Sequence, residues 1–246
     1  MAEKITPMKK VPQLSVFFPA YNEEKNIKKT LLQAIKVLDE IAKKWEIIVV
    51  DDGSTDKTAE IAKQLSQKYK NIRLIDHKKN KGYGAALKTG MAKARYSLVC
   101  YTDSDGQFDF SEIKNFLPKI KNHDLIIGFR KKRIDKLYRR ILAKILWLAN
   151  LILFKIDIKD IDCGFKLFKK RIIDKIGSLK TESAITETEF IVRAQRLGFK
   201  IAQVGVNHHS RIGGGQTGGK FRVIFKGGIE GLELWYFLLK ERCLNN

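Results

Sequence analysis

Asp103 and Asp105, in Asp103-Ser104-Asp105, follow an apolar run at residues 98–101. Their carboxylates therefore leave the end of a buried strand close together. A pair in that position can hold a hard divalent cation and bridge it to a diphosphate, and oxygen ligands suit Mg2+ or Mn2+ better than zinc. Aspartate also makes good turns and caps, so on spacing alone a structural turn is as compatible as a metal site. Two more polar turns close apolar runs in the same way: Phe18-Pro19-Ala20-Tyr21-Asn22-Glu23 and Val49-Val50-Asp51-Asp52-Gly53-Ser54.

The elements that must position these turns follow from hydrophobic periodicity. Runs at 14–18 (closed by Pro19), 46–50, 72–75 and 98–101 read as buried strands. Helical spacing fills the gaps: residues 23–43, with Ile27, Leu31, Ala34, Ile35, Leu38 and Ile41 on one face, then 57–67, then a segment from Asn80-Lys81-Gly82-Tyr83-Gly84 through Ala94. Alternating strands and helices predict an α/β domain with a mostly parallel sheet, whose ligands gather outside the carboxyl ends of the strands. All three polar turns sit at such ends. Beyond them the order changes to a helix at 111–119, an apolar stretch at 125–128, a long helix at 134–154, a helix carrying Glu189 and Arg193, a strand at 201–206 and a helix at 221–239. We expect a loose basic tail over 1–12, one catalytic domain over 13–220, and a C-terminal amphipathic helix over 221–246.

Composition narrows the class. With 246 residues, 44% hydrophobic, the chain has material for one real core. Lys and Arg number 48 against 27 Asp and Glu, and the net charge of +21 favours anionic partners such as nucleotides, phospholipids or nucleic acid. No nucleic-acid-binding signature accompanies that charge, so a nucleic-acid module ranks far behind. Cys100, Cys163 and Cys243 are odd in number and widely spaced, which suggests neither a disulfide framework nor a zinc site. The first residues carry no apolar core of a signal peptide.

The longest nearly charge-free apolar run, 145–154, is well short of the about 20 residues a spanning helix needs, so no transmembrane segment is expected. The 134–154 helix puts Ile134, Leu137, Ile141, Ile145, Leu148 and Ile152 on one stripe, read as core-facing. Leu146, Trp147, Leu151, Leu153 and Phe154 widen the apolar surface beyond it. That surplus, with Trp235, Tyr236 and Phe237 near basic residues in the last helix, predicts a membrane-surface face and a peripheral location on the cytoplasmic side.

Taken together, Pro19-Ala20-Tyr21-Asn22-Glu23, Val50-Asp51-Asp52-Gly53-Ser54, Lys81-Gly82-Tyr83-Gly84-Ala85-Ala86, Thr102-Asp103-Ser104-Asp105-Gly106-Gln107-Phe108-Asp109 and Asp162-Cys163-Gly164-Phe165-Lys166-Leu167-Phe168 resemble glycosyltransferase family 2 in order and spacing. Within that family the chain is similar to the dolichyl- or polyprenyl-phosphate mannosyl and glucosyl transferases. The resemblance implies the GT-A fold and an inverting, metal-dependent transfer of a hexose from a nucleotide sugar of the GDP-mannose or UDP-glucose type to a polyprenyl or dolichyl phosphate. It implies that Pro19, Tyr21, Glu23, Val50 and Asp52 line the base and ribose pocket, with Ser104 also on the nucleotide sugar. Asp103, Asp105 and Gln107 would meet the metal and diphosphate, and Arg211 a phosphate. Arg130 and Arg139 match phosphate-holding positions, and Glu189 and Arg193 lie beside the acceptor site, although four residues apart they also form an ordinary helical pair.

A phosphate nucleophile needs no base. A sugar hydroxyl in a saccharide or protein acceptor would need one, with Glu187 or Glu189 the first candidates. The glycine-dense stretch at 213–219, holding Gln216 and Thr217, reads as a loop closing over a diphosphate. His208 and His209 read as strand-end residues rather than metal ligands.

Overall fold

The computed structural model describes residues 9–132, 137–211 and 221–244, without the side chains of 137–143, 221–224 and 242–244. Seven strands form one sheet: β1 (Val11–Ala20), β2 (Ala42–Asp51), β3 (Ile72–Asp76), β4 (Leu98–Thr102), β5 (Leu125–Arg130), β6 (Phe165–Lys169) and β7 (Ile201–Val206). Their order is β3-β2-β1-β4-β6-β5-β7. β6 runs antiparallel to both β4 and β5, and the other pairs are parallel. The strand at β6 escapes the sequence reading because Lys166 interrupts its apolar run. β1 starts at Val11, inside the expected tail, and continues through Pro19, which pairs in register with Val50.

Alternation along each strand builds two cores. Leu14, Val16, Phe18, Ile47, Val49 and Cys100 face one cluster with α1 (Ile27–Ile41) and α2 (Thr58–Lys68). A 3-10 turn at Phe110–Asn115 and α4 (Leu117–Ile120) complete that side, where the sequence predicts one helix. Phe17, Ile48, Val50, Val99 and Tyr101 face the other cluster, with α3 (Tyr83–Lys93), α6 (Arg171–Ile176), α7 (Ile185–Arg196) and the ends of α5 (Leu137–Phe154) and α8 (Phe221–Leu244). A strand covered on both faces reads as an unbroken apolar run, which is why these strands were visible in the sequence.

The long helix α5 is turned the other way from the sequence expectation. Ile145, Leu148 and Ile152 of the stripe read as core-facing are 59%, 49% and 65% exposed. Leu146, Leu153 and Phe154 pack into the second core instead. A helix apolar on most of its surface does not itself specify which side is buried; the neighbours α6 and α7 decide. On α8, Leu234 and Leu238 are buried while Phe225, Ile229, Leu232, Tyr236 and Leu239 are exposed along the opposite side. No helix among the described residues is long and apolar enough to cross a membrane.

Candidate active site

The three polar turns do meet at the carboxyl ends of β1, β2 and β4, and hydrogen bonds join them into one rigid edge. Asn22 N donates to Ser54 Oγ at 2.9 Å, Thr55 N to Asn22 Oδ1 at 2.8 Å, and Glu23 N to Thr58 Oγ1 at 2.7 Å. Ser104 is buried, and its hydroxyl donates to the Pro19 carbonyl at 2.7 Å, tying the β4 turn to the β1 turn. Gly53 lies at φ +70° with the backbone of Lys79 and Asn80 so near that a Cβ would sit 2.5 Å from Lys79 C. Glycine is needed there both for its conformation and for the close approach.

Asp103 is the centre of this edge. Its amide donates to the Gly164 carbonyl at 3.0 Å, and Tyr83 Oη donates to its Oδ1 at 3.0 Å. The carboxylate fills the space a side chain at Gly164 would need, since a Cβ there would lie 2.1 Å from Oδ2. Burial, then the charges of Asp105 and Glu187, push the Asp103 pKa up to about 8. Burial also raises Asp105, against the Gln107 amide and the charges of Arg211 and Arg130. Two desolvated carboxylates that disfavour each other's ionisation form a donor set that a hard divalent cation stabilises. Gln107 N donates to Asp105 Oδ1 at 3.0 Å, Gln107 Nε2 donates to the His209 carbonyl at 3.0 Å, and the Gln107 backbone carbonyl accepts from His209 N at 2.8 Å, so the side-chain oxygen Oε1 is the Gln107 atom suited to a cation. Among the described residues no three His, Cys, Asp or Glu side chains form a metal cluster.

Two arginines flank the carboxylates. Arg211 pairs with Glu23 through Nη2 and stands 3.9 Å from Asp105 Oδ2. Burial raises Glu23 to about 7, opposed by the Asn26 hydrogen bond and the Arg211 charge. Arg130 is clamped by Asp160, with Nε and Nη2 each 2.6 Å from a carboxylate oxygen.

Other expected residues also make contacts that hold the fold. Asp52 is buried: its Oδ1 accepts from Lys81 N at 3.0 Å and lies 2.7 Å from His77 Nδ1, and its Oδ2 accepts from Gly82 N at 2.8 Å. It thereby holds the 77–82 loop that delivers Tyr83. Val50 is wholly buried in the core, and Tyr21 is half-buried on the β1 turn. Glu189 receives Lys180 N, Thr181 N and Thr181 Oγ1, all within 3.1 Å, and pairs with Arg193 Nε at 2.9 Å. His208 packs on Phe108 with ring centroids 5.4 Å apart. The side chain of Arg139 and the 213–219 stretch lie outside the described residues.

Sequence reasoning missed the support beneath the carboxylates. Lys166 is fully buried on β6, and its Nζ donates to the carbonyls of Ile161 at 3.0 Å and Cys163 at 2.7 Å and to Glu187 Oε1 at 2.7 Å. Tyr101 Oη donates to the same Glu187 oxygen. A lysine within Phe165-Lys166-Leu167-Phe168 was the available signal, because a charge inside a buried strand requires a partner.

The Glycosyl transferase family 2 profile matches residues 15–177. The chain is 35% identical over 215 residues to a dolichyl-phosphate beta-glucosyltransferase of Trichomonas vaginalis, covering 79% of this chain and 66% of that one. It is 36% identical over 217 residues to the dolichyl-phosphate beta-glucosyltransferase of Dictyostelium discoideum, covering 79% and 65%. The chain thus spans just under two thirds of the length of these curated relatives. A crystal structure of glucosyl-3-phosphoglycerate synthase from Mycobacterium tuberculosis, in complex with Mn2+, UDP and glucosyl-3-phosphoglycerate, superposes with a TM-score of 0.63 at 21% identity, covering 81% of this chain and 73% of that one. That likeness is one of fold.

Removing one partner of a buried ion pair strands the other charge. Lys166→Met is therefore expected to lower stability in urea by about 3–5 kcal/mol, and adding Glu187→Leu to recover most of that loss. An unchanged unfolding midpoint in the single variant would contradict the role given to Lys166.

Proposed function

The chain belongs to glycosyl transferase family 2, and from that premise we propose that it moves a hexose from a nucleotide sugar to a polyprenyl or dolichyl phosphate. The observation that carries this reading is the convergence of Asp103, Asp105, Arg211 and Arg130 at one strand edge. Relatives named as dolichyl-phosphate beta-glucosyltransferases support glucose as the sugar and a dolichyl-type phosphate as the acceptor.

In this mechanism the nucleotide sugar lies over the β1 and β2 turns near Tyr21, with its diphosphate directed at Asp103, Asp105 and Arg211. A Mg2+ or Mn2+ ion held by Asp103, Asp105 and the Gln107 side-chain oxygen would supply charge neutralisation for the departing nucleoside diphosphate. Tyr83 fixes the orientation of Asp103, and Asp160 fixes the plane of the Arg130 guanidinium. Arg130 orients the acceptor phosphate, with Arg139 as its proposed companion. One phosphate oxygen bonds to the anomeric carbon as the bond to the diphosphate oxygen breaks, inverting the configuration. A phosphate monoester has a second pKa of about 6, so the nucleophile is already largely dianionic at neutral pH. Positioning and charge neutralisation then carry the rate.

The state of Glu187 and Glu189 favours a phosphate over a hydroxyl acceptor. Both are buried and committed, Glu187 to Lys166 and Tyr101, Glu189 to the 180–181 amides and Arg193. Neither is available as the base a hydroxyl would need.

The acceptor lipid requires a route to a membrane surface, and the exposed apolar sides of α5 and α8 supply one. We place the protein peripherally on the cytoplasmic face, held by these helices and by surface Lys and Arg at about 1 kcal/mol per residue near anionic lipid.

With UDP-glucose, polyprenyl phosphate and Mn2+, the protein is expected to form a glucosyl-lipid, and Asp105→Ala to cut turnover on the order of 100-fold or more while circular dichroism stays native. Glucose transfer to an oligosaccharide but not to lipid phosphate would overturn the acceptor, and turnover within twofold of wild type in Asp105→Ala would overturn the metal assignment. For the membrane, the protein should sediment with anionic vesicles at low salt and dissociate as salt rises, since charges are screened over about 10 Å at 0.1 M. Leu232→Ser with Tyr236→Ser should weaken that binding without shifting Tm. Protein that stays in the supernatant at low salt, or a variant that unfolds, would contradict the surface assigned to α8.

A further inference from the structure

A second cleft lies away from the carboxylates, where the ends of α5, α6, α7 and α8 meet. It has a volume of about 740 Å³. Arg193 and Arg196, on its α7 wall, lie about 9 and 13.5 Å along the helix axis from Glu187 at 1.5 Å per residue. Every large apolar side chain found exposed among the described residues lies on α5, on α8, or at Leu197 in this cleft. Ile152, Leu197 and Leu239, three of that set, line the cleft itself, which is therefore where the two exposed apolar sides converge. Its deeper wall is apolar too, with Leu153, Trp235 and Leu238.

The polar lining has one dominant sign. Lys155, Lys175, Arg193 and Arg196 contribute cations, against the single carboxylate of Glu241, 4.0 Å from Arg193 Nη1. Arg193 Nε is bonded to Glu189 at 2.9 Å, but its Nη2 is buried and lacks a hydrogen-bond partner among the described residues. A buried guanidinium donor without an acceptor is costly, and an anionic oxygen would relieve it. Apolar walls beside such a cluster match a molecule that carries both an alkyl chain and a negative head.

We propose that this cleft binds one anionic phospholipid, its acyl chain along Ile152, Leu153, Trp235 and Leu239 and its phosphate at Arg193 with Lys155, Lys175 and Arg196. This lipid is distinct from the sugar acceptor, whose phosphate the proposed reaction gives to Arg130; Arg193, which the family resemblance set beside the acceptor, is assigned here to the phospholipid instead. Its binding anchors the α5–α7–α8 side to a defined lipid molecule as well as to a charged surface.

The test uses the full chain with dihexanoyl-phosphatidylglycerol below its micelle concentration, so that no bilayer is present. Tm should rise with this lipid, as for any ligand specific to the native state, and should not rise with dihexanoyl-phosphatidylcholine or inorganic phosphate at the same concentrations. Lys155 and Lys175 are both exposed, so Lys155→Glu with Lys175→Glu should keep the wild-type Tm and nucleotide-sugar response while weakening phosphatidylglycerol binding at least tenfold. An equal shift with phosphatidylcholine, an equal shift with phosphate alone, no shift with any of the three, or undiminished binding in the double variant would each overturn the site. Loss of the nucleotide-sugar response in the wild type would instead count against the transfer reaction, which this cleft does not depend on.

Discussion

A charged amine placed in a protein interior must have its partners fixed in advance, because an ammonium without oxygen around it costs several kcal/mol. Lys166 imposes that requirement at the middle of the sheet. Satisfying it binds the 161–163 backbone and Glu187 of α7 to one point on β6, and brings Tyr101 of β4 in through the same carboxylate. The loop so fixed contributes the Gly164 carbonyl that receives the Asp103 amide and the glycine surface against which the Asp103 carboxylate packs. It also begins with Asp160, which holds Arg130. The antiparallel strand thus does more than fill the sheet: its one buried charge, Lys166, connects the two halves of the candidate site.

Above that support the site concentrates negative charge where desolvation opposes it. Asp103 and Asp105 are both shifted upward, chiefly by burial, and Glu23 is shifted upward for the same reason despite its arginine. Stable folding alone would favour fewer carboxylates at such a place. Under the proposed function, a cationic partner and a polyphosphate would bring the charges that complete the balance. The rigid joining of the β1, β2 and β4 turns limits reorganisation when they arrive.

Much of this was legible in the sequence, for identifiable reasons. β1, β2, β3 and β4 are sandwiched between helices, and their apolar runs and acidic ends announced both the sheet and the edge where the polar turns meet. The direction of a side chain within a loop was not legible. Asp52, placed at the nucleotide by the family resemblance, also holds the 77–82 loop, where two backbone amides and His77 converge on its carboxylate. Ser104 likewise joins turns, through Pro19. The exposed side of α5 was misread because a broadly apolar helix has no polar face to orient it. Lys166 was quoted within a motif but its role depended on Glu187, twenty-one positions away, a pairing that only the folded sheet reveals.

The central claim is that Asp103 and Asp105 hold the donor diphosphate through a divalent ion. Calorimetric titration of UDP into the wild-type protein, with Mn2+ and then with excess chelator, tests it most directly, with Asp103→Asn as the paired sample. The account predicts saturable binding in Mn2+, loss of at least tenfold in affinity under chelation, and a similar loss in Asp103→Asn with Mn2+ present. Equal UDP affinity with and without the ion, in a protein that remains folded, would contradict it.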